Sequence, residues 1–161
     1  MPMPSPTESP ILRHDALTLI ALPNSIHIGR TYATAVLRGW GHLDDDFLAD
    51  AQLVVSELLT NAVDALGFTD PRVVITARAV VRIYLSELSD CVLIEVWDPH
   101  PRIPHPRGMP PPDALRGRGL EIVRHLTRDS GYSVLPDGAH AGGKIVFATL
   151  PFPQEEPPRA P

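Results

Sequence analysis

Val55-Ser56-Glu57-Leu58-Leu59-Thr60-Asn61-Ala62-Val63-Asp64-Ala65 is the stretch on which the reading of this chain turns. It lies within a helix predicted over Asp44–Leu66, with acidic Asp44, Asp45 and Asp46 at the positive end and Gly67 as a stop. On a wheel at about 100° per residue, Val55, Leu58, Ala62 and Ala65 form the apolar stripe that faces a core. Glu57, Asn61 and Asp64 recur at i, i+4 and i+7 and form a polar stripe beside it. A polar stripe is ordinarily a solvated face. This one holds no Lys or Arg to make ion pairs along the helix and is bordered by Val54, Leu58 and Ala65. That pattern predicts half-buried polar groups, a setting for a general base or a metal–phosphate contact.

Downstream, Leu93-Ile94-Glu95-Val96-Trp97-Asp98 reads as a strand ending in an acid. Of 19 prolines, seven fall in residues 99–112. That run can be neither helix nor central strand, and so long a loop in a compact domain is often functional. Arg116-Gly117-Arg118-Gly119-Leu120 then opens a helix predicted over Gly119–Arg128. Glycines before a helix let an anion approach backbone amides, and Arg116 and Arg118 are placed to add side-chain contacts. The Gly-Lys-Ser/Thr ending of a Walker loop is missing, and the position late in the chain does not suit a dinucleotide fingerprint.

The remaining segments read as a strand at Ala16–Leu22, a helix at Ser25–Arg38 capped by Asn24 or Ser25, and β-branched strands at Arg72–Glu87 and Cys91–Asp98 joined near Ser89-Asp90. Closing strands follow at Tyr132–Leu135 and Lys144–Leu150, around the turn Pro136–Gly143. This is an α+β order, without strict βαβ alternation.

Composition narrows the classes. The 161 residues suit one domain, and 43% hydrophobic with 20% charged content is that of an ordinary globular protein. A net charge of −5 argues against a surface that coats nucleic acid. Lys144 is the sole lysine, which leaves anion contacts to Arg and backbone amides. Cys91 is the sole cysteine, so no internal disulfide forms, and its apolar run reads as a buried thiol. No signal-peptide pattern and no apolar run of ~20 residues is present, so a cytoplasmic protein without a membrane span is expected. Residues 1–10 and 153–161 are expected to be disordered tails around a domain at 11–152. His100 and His105 lack a third ligand nearby, too little for a metal site.

Taken together, Glu-x-x-x-Asn on a helix, an acid at a strand end, a long loop, Gly-x-Gly opening a helix and a Gly-rich last strand resemble the Bergerat-fold ATPase/kinase superfamily. The likeness is greatest to bacterial anti-sigma factors with serine/threonine kinase activity and spans about residues 12–150. Its motifs are Val55–Ala65, Glu95-Val96-Trp97-Asp98-Pro99, Gly117-Arg118-Gly119-Leu120 and Gly142-Gly143-Lys144-Ile145-Val146-Phe147. The resemblance implies a two-layer α/β sandwich: a mixed, mostly antiparallel sheet covered on one face by helices. It implies ATP and Mg²⁺ as cofactors, with Asn61 as the Mg²⁺ ligand and Glu57 as the group that orients or deprotonates the nucleophile. Asp98 would accept from the adenine amino group, Gly117 and Gly119 would give amides to the phosphates, and residues 99–116 would form a lid. Asp64, Arg116, Arg118 and Leu120 complete the implied nucleotide site.

Two departures stand out. Asp-x-Gly-x-Gly is replaced by Asp98-Pro99-His100-Pro101-Arg102, and the Thr expected in the last strand is read as Ile145. The implied function is a kinase acting on an anti-anti-sigma protein, with a sigma factor as second partner. The alternative is a non-catalytic ATP-sensing or anti-sigma binding module. No nucleic acid or membrane contact is expected, and a homodimer is left open. A histidine-kinase reading fits poorly, since residues 1–43 are too few for a two-helix phosphoacceptor domain.

Overall fold

The long helix forms where its caps predict. In the computed structural model, which describes residues 9–67, 70–76, 79–100, 119–138 and 141–154, Asp44 Oδ1 accepts from the Phe47 amide at 2.7 Å and Gly67 closes the helix in the left-handed region at φ 65°. The elements in chain order are β1 (Arg13–Ile20), α1 (Ser25–Gly39), α2 (Asp45–Leu66), α3 (Pro71–Thr76), β2 (Val80–Glu87), β3 (Cys91–Asp98), α4 (Gly119–Leu126), β4 (Asp129–Val134) and β5 (Lys144–Pro151).

The sheet runs β1-β2-β3-β5-β4. All four described pairings are antiparallel, so the sheet is not mixed. Val81, Ile83 and Leu85, Val92, Ile94 and Val96, and Val146, Ala148 and Leu150 alternate along the three central strands and are buried against Val54, Val55, Leu58 and Leu59 of α2. Helices thus cover one face of the sheet, the α+β sandwich expected.

Several boundaries differ from the sequence reading. Arg72–Glu87 is not one strand. Pro71–Thr76 is helical, because Asp70 accepts from the Arg72 amide at 2.8 Å and Pro71 stands at the first helical position. β1 starts at Arg13 and ends at Ile20, where a turn bond from Leu22 N to Ile20 O stops it. α4 ends at Leu126, and β4 starts at Asp129, which pairs with Thr149. Asn24 occupies the N-cap of α1 without a side-chain cap bond; the neighbouring Ser25 hydroxyl donates to Ile20 O. Residues 101–116 of the expected lid, and residues 1–8 and 155–161 of the expected tails, lie outside the described residues.

Two local features hold the layers. Glu87 is 5% exposed and is paired by Arg13 and by His42 Nε2 at 2.7 Å, while His42 stacks on Phe152. This ties the edge strand, the α1–α2 turn and the chain after β5 together. Cys91 is buried, its thiol pushed up to about 11 by burial, in keeping with an inert side chain.

Gly29 lets α1 approach α2 and the sheet: a Cβ there would lie 2.3 Å from Leu59 Cδ1 and 3.0 Å from Ile83 Cδ1, both fully buried. Gly29→Val is therefore expected to destabilise the fold by about 1–3 kcal/mol through overpacking. Gly39→Ala, whose Cβ meets nothing within 4 Å, is expected to stabilise it by up to about 1 kcal/mol. Urea titration of both variants checks the contrast; equal midpoints would contradict it.

Candidate functional site

The site begins on α2. Val54, Val55, Leu58 and Leu59 anchor one side of the helix in the core, and this fixes the angle at which Glu57 and Asn61 emerge at its edge. Ser56 and Thr60 turn their hydroxyls back onto Gln52 O and Ser56 O, at 2.8 and 2.7 Å. Glu57 and Asn61 are half-buried, whereas Asp64, one turn further, is exposed. The polar stripe therefore divides: two residues lie at the packed margin and Asp64 faces solvent.

Glu57 packs against the start of α4. A Cβ built on Gly119 would lie 1.6 Å from Glu57 Oε2 and 2.6 Å from its Cδ, so only glycine lets the carboxylate lie there. No described residue pairs with that carboxylate, and burial raises its pKa above the ordinary carboxylate value. The Nδ2 of Asn61 is buried without a hydrogen-bond partner. A buried amide left unsatisfied costs about 1–3 kcal/mol, which is regained when a bound group supplies the partner. Two helices thus bring a carboxylate unpaired among the described residues, an unsatisfied amide and a helix N-terminus into one neighbourhood. The free amides and dipole of α4 suit an anion. Among the described residues no group of three or more His, Cys, Asp or Glu is placed to hold a metal, so an ion here would share its coordination with a ligand such as phosphate.

Asp98 ends β3 on the helix-covered side and is 0% exposed. Its Oδ1 accepts from Lys144 Nζ at 2.9 Å and from the His100 amide at 2.9 Å, and Oδ2 lies 2.8 Å from the same ammonium. Lys144 also donates to His100 O at 3.0 Å. Burial pushes the Asp98 carboxyl up, opposed by the Lys144 ammonium and the His100 amide. Gly143 permits this closeness: a Cβ on it would lie 2.5 Å from Asp98 O.

The reading of Ile145 as the residue reaching the base is corrected here. Asp98 pairs in register with Lys144, and Ile145 pairs with Trp97 on the opposite face of the sheet. The contacts of Lys144 and His100 with Asp98 were missed in the sequence. The signal was present: the sole lysine opens the last strand, directly after two glycines. Arg116, Gly117 and Arg118 lie outside the described residues; Leu120 is placed only by its backbone, in the first turn of α4.

An antiparallel sheet with helices on one face, a Glu/Asn pair on the central helix, an acid at a strand end and a glycine-opened helix together define an ATPase-type nucleotide-binding domain. The chain belongs to the histidine kinase-like ATPase domain family, whose model matches residues 19–147, and the family implies that it binds ATP. No curated protein matches the chain. No helix among the described residues is long and apolar enough to cross a membrane.

Proposed function

We propose that this chain is a Mg²⁺-dependent serine/threonine kinase of the anti-sigma type, which transfers the γ-phosphoryl of ATP to a small anti-anti-sigma protein in the cytoplasm. The observation that carries the reading is the Glu57 carboxylate, unpaired among the described residues and held against Gly119 one turn from the unsatisfied Asn61 amide. In this role Glu57 accepts the proton of the partner's hydroxyl as that oxygen bonds to the γ-phosphorus and the bond to ADP breaks. A carboxyl raised by burial suits this work, because its proton affinity lies closer to neutrality. Asn61 is the side chain that would hold Mg²⁺, whose contribution when bound is to neutralise phosphate charge. The amides opening α4 receive phosphate oxygens, and a sigma factor docks on another face.

The second reading is a module that binds ATP or a sigma factor without transfer. It is favoured by the Asp98–Lys144 pair, which already engages the carboxylate expected to meet adenine.

In titrations with Mg-ATP, Asn61→Ala is expected to bind at least tenfold more weakly than the unaltered chain, the scale of losing a hydrogen bond to a charged group. Equal affinities would sink the site assignment. Label transferred from γ-labelled ATP to a Ser or Thr of an anti-anti-sigma protein separates the kinase from the module, which binds ATP and transfers nothing.

A further inference from the structure

The base end of the site carries a consequence of its own, resting on the nucleotide-site reading above. A carboxylate has about four lone-pair positions. In Asp98, Oδ1 is filled by two donors, Lys144 Nζ and the His100 amide, each at 2.9 Å. Oδ2 is close to the ammonium at 2.8 Å, yet it is buried without a directed hydrogen bond. One acceptor therefore remains, with a cation beside it. Lys144 Nζ lies 2.9 Å from Oδ1 and 2.8 Å from Oδ2, so a base in contact with the Asp98 carboxylate would meet the ammonium as well.

Purines differ at this edge. Adenine offers a 6-amino donor, while guanine offers a 6-oxo acceptor beside an N1–H donor. A lone carboxylate favours the amino group and repels the oxo group, because two acceptors would face one another. A site built to hydrogen-bond one group rejects the analogue that cannot supply it. An ammonium alongside reverses half of that argument. It is donor-only, so it attracts a 6-oxo group and disfavours the second hydrogen of a 6-amino group, while Oδ2 accepts from either purine. The net charge of the pair is also zero, which lowers the repulsion an oxo oxygen would meet.

We propose that Lys144 is a base-specificity residue that removes the preference for adenine, so that this site accepts purine nucleoside triphosphates of either kind. The residue is held in place by more than its charge. Its strand position opposite Asp98 and its bond to His100 O fix the ammonium at the point where β3 leaves the sheet. The absence of Gly at position 100 and the presence of Lys at 144 thus act together: the loop's first turn is tied to the same ammonium that pairs with Asp98.

The test is displacement of N-methylanthraniloyl-ATP by ATP and by GTP, with Mg²⁺, from the full chain and from Lys144→Thr. The unaltered chain is expected to bind the two nucleotides within fivefold of one another. Lys144→Thr, which frees both Asp98 oxygens, is expected to shift the ratio at least tenfold towards ATP. Lys144→Arg, which keeps the cation, is expected to leave the ratio below fivefold. A preference for ATP above fivefold in the unaltered chain overturns the proposal and leaves the nucleotide site standing; so does a ratio in folded Lys144→Thr that shifts less than tenfold. Should Lys144→Thr fail to show a cooperative melt, the ratio in the unaltered chain decides alone. Folded protein that binds neither nucleotide overturns both this proposal and the site reading.

Discussion

For the proposed kinase, replacing Glu57 with Gln is expected to lower phosphoryl transfer by about 10²–10⁴-fold, the range for removing a general base, while the nucleotide-free protein melts at a higher temperature. The two effects share one cause. The carboxylate is half-buried against Gly119 without a partner among the described residues, and burial raises its pKa above the ordinary carboxylate value. At pH 7 the folded protein therefore carries the cost of holding a poorly solvated charge. Gln keeps the shape and removes the charge. The pH dependence has a definite sign. A carboxyl whose folded pKa is raised binds its proton more tightly in the folded state than in the unfolded chain. As pH falls from 7 through the folded value, the side chain protonates and its burial penalty disappears. The melting-temperature advantage of Glu57→Gln should accordingly be largest at pH 7 and shrink towards pH 4.5. Thermal melts of both proteins at the two pH values check this, and an advantage that grows on acidification would contradict it. A variant that gains stability as it loses transfer marks a residue retained for chemistry.

Much of this site was legible one residue at a time. The helix with Glu57 and Asn61 declares itself through period, acidic N-terminus and terminal glycine, all local signals, and it forms with its predicted bounds to within one residue. β3 and β5 were equally plain, because each is a short, apolar, β-branched run bounded by turn residues. Arg72–Glu87 misled because its β-branched residues outweighed a short-range signal, Asp70-Pro71, that starts a helix by capping its first amides. Propensity spread over many residues lost to two residues of favourable geometry.

What could not be read was anything that depends on which strand lies next to which. Lys144 meets Asp98 across 46 residues of chain, and the choice between Lys144 and Ile145 is a choice of strand parity, since a shift of one residue changes the face. His100 is close to Asp98 in sequence, but its carbonyl gains a role only once Lys144 is in place. The same holds for Asp64. It shares a helical stripe with Glu57 and Asn61, but it is exposed, whereas Glu57 packs against Gly119 of α4.

That last contact sets the second large effect. Gly119→Ala adds one methyl, and its carbon would stand 1.6 Å from Glu57 Oε2, 2.6 Å from Cδ and 3.3 Å from Cγ. No such set of distances survives in a real structure, so one side must move. The helix start is held by its own hydrogen bonds, whereas Glu57 has a flexible side chain, and the carboxylate is the part that leaves. The fold is expected to change in stability by no more than about 1 kcal/mol, since Ala is the better helix former. Transfer should fall at least 100-fold, although Glu57 itself is untouched. Affinity for ATP should stay within threefold, because Ala keeps the backbone amide offered to phosphate. The double variant Glu57→Gln/Gly119→Ala distinguishes displacement of the base from separate damage. If the methyl acts by displacing Glu57, the two changes remove one function and the double variant transfers as slowly as the slower single. Rates that multiply would show that Gly119 serves the proposed reaction by a route of its own, and a Gly119→Ala variant that transfers at the unaltered rate would remove the Glu57–Gly119 contact from the proposed mechanism.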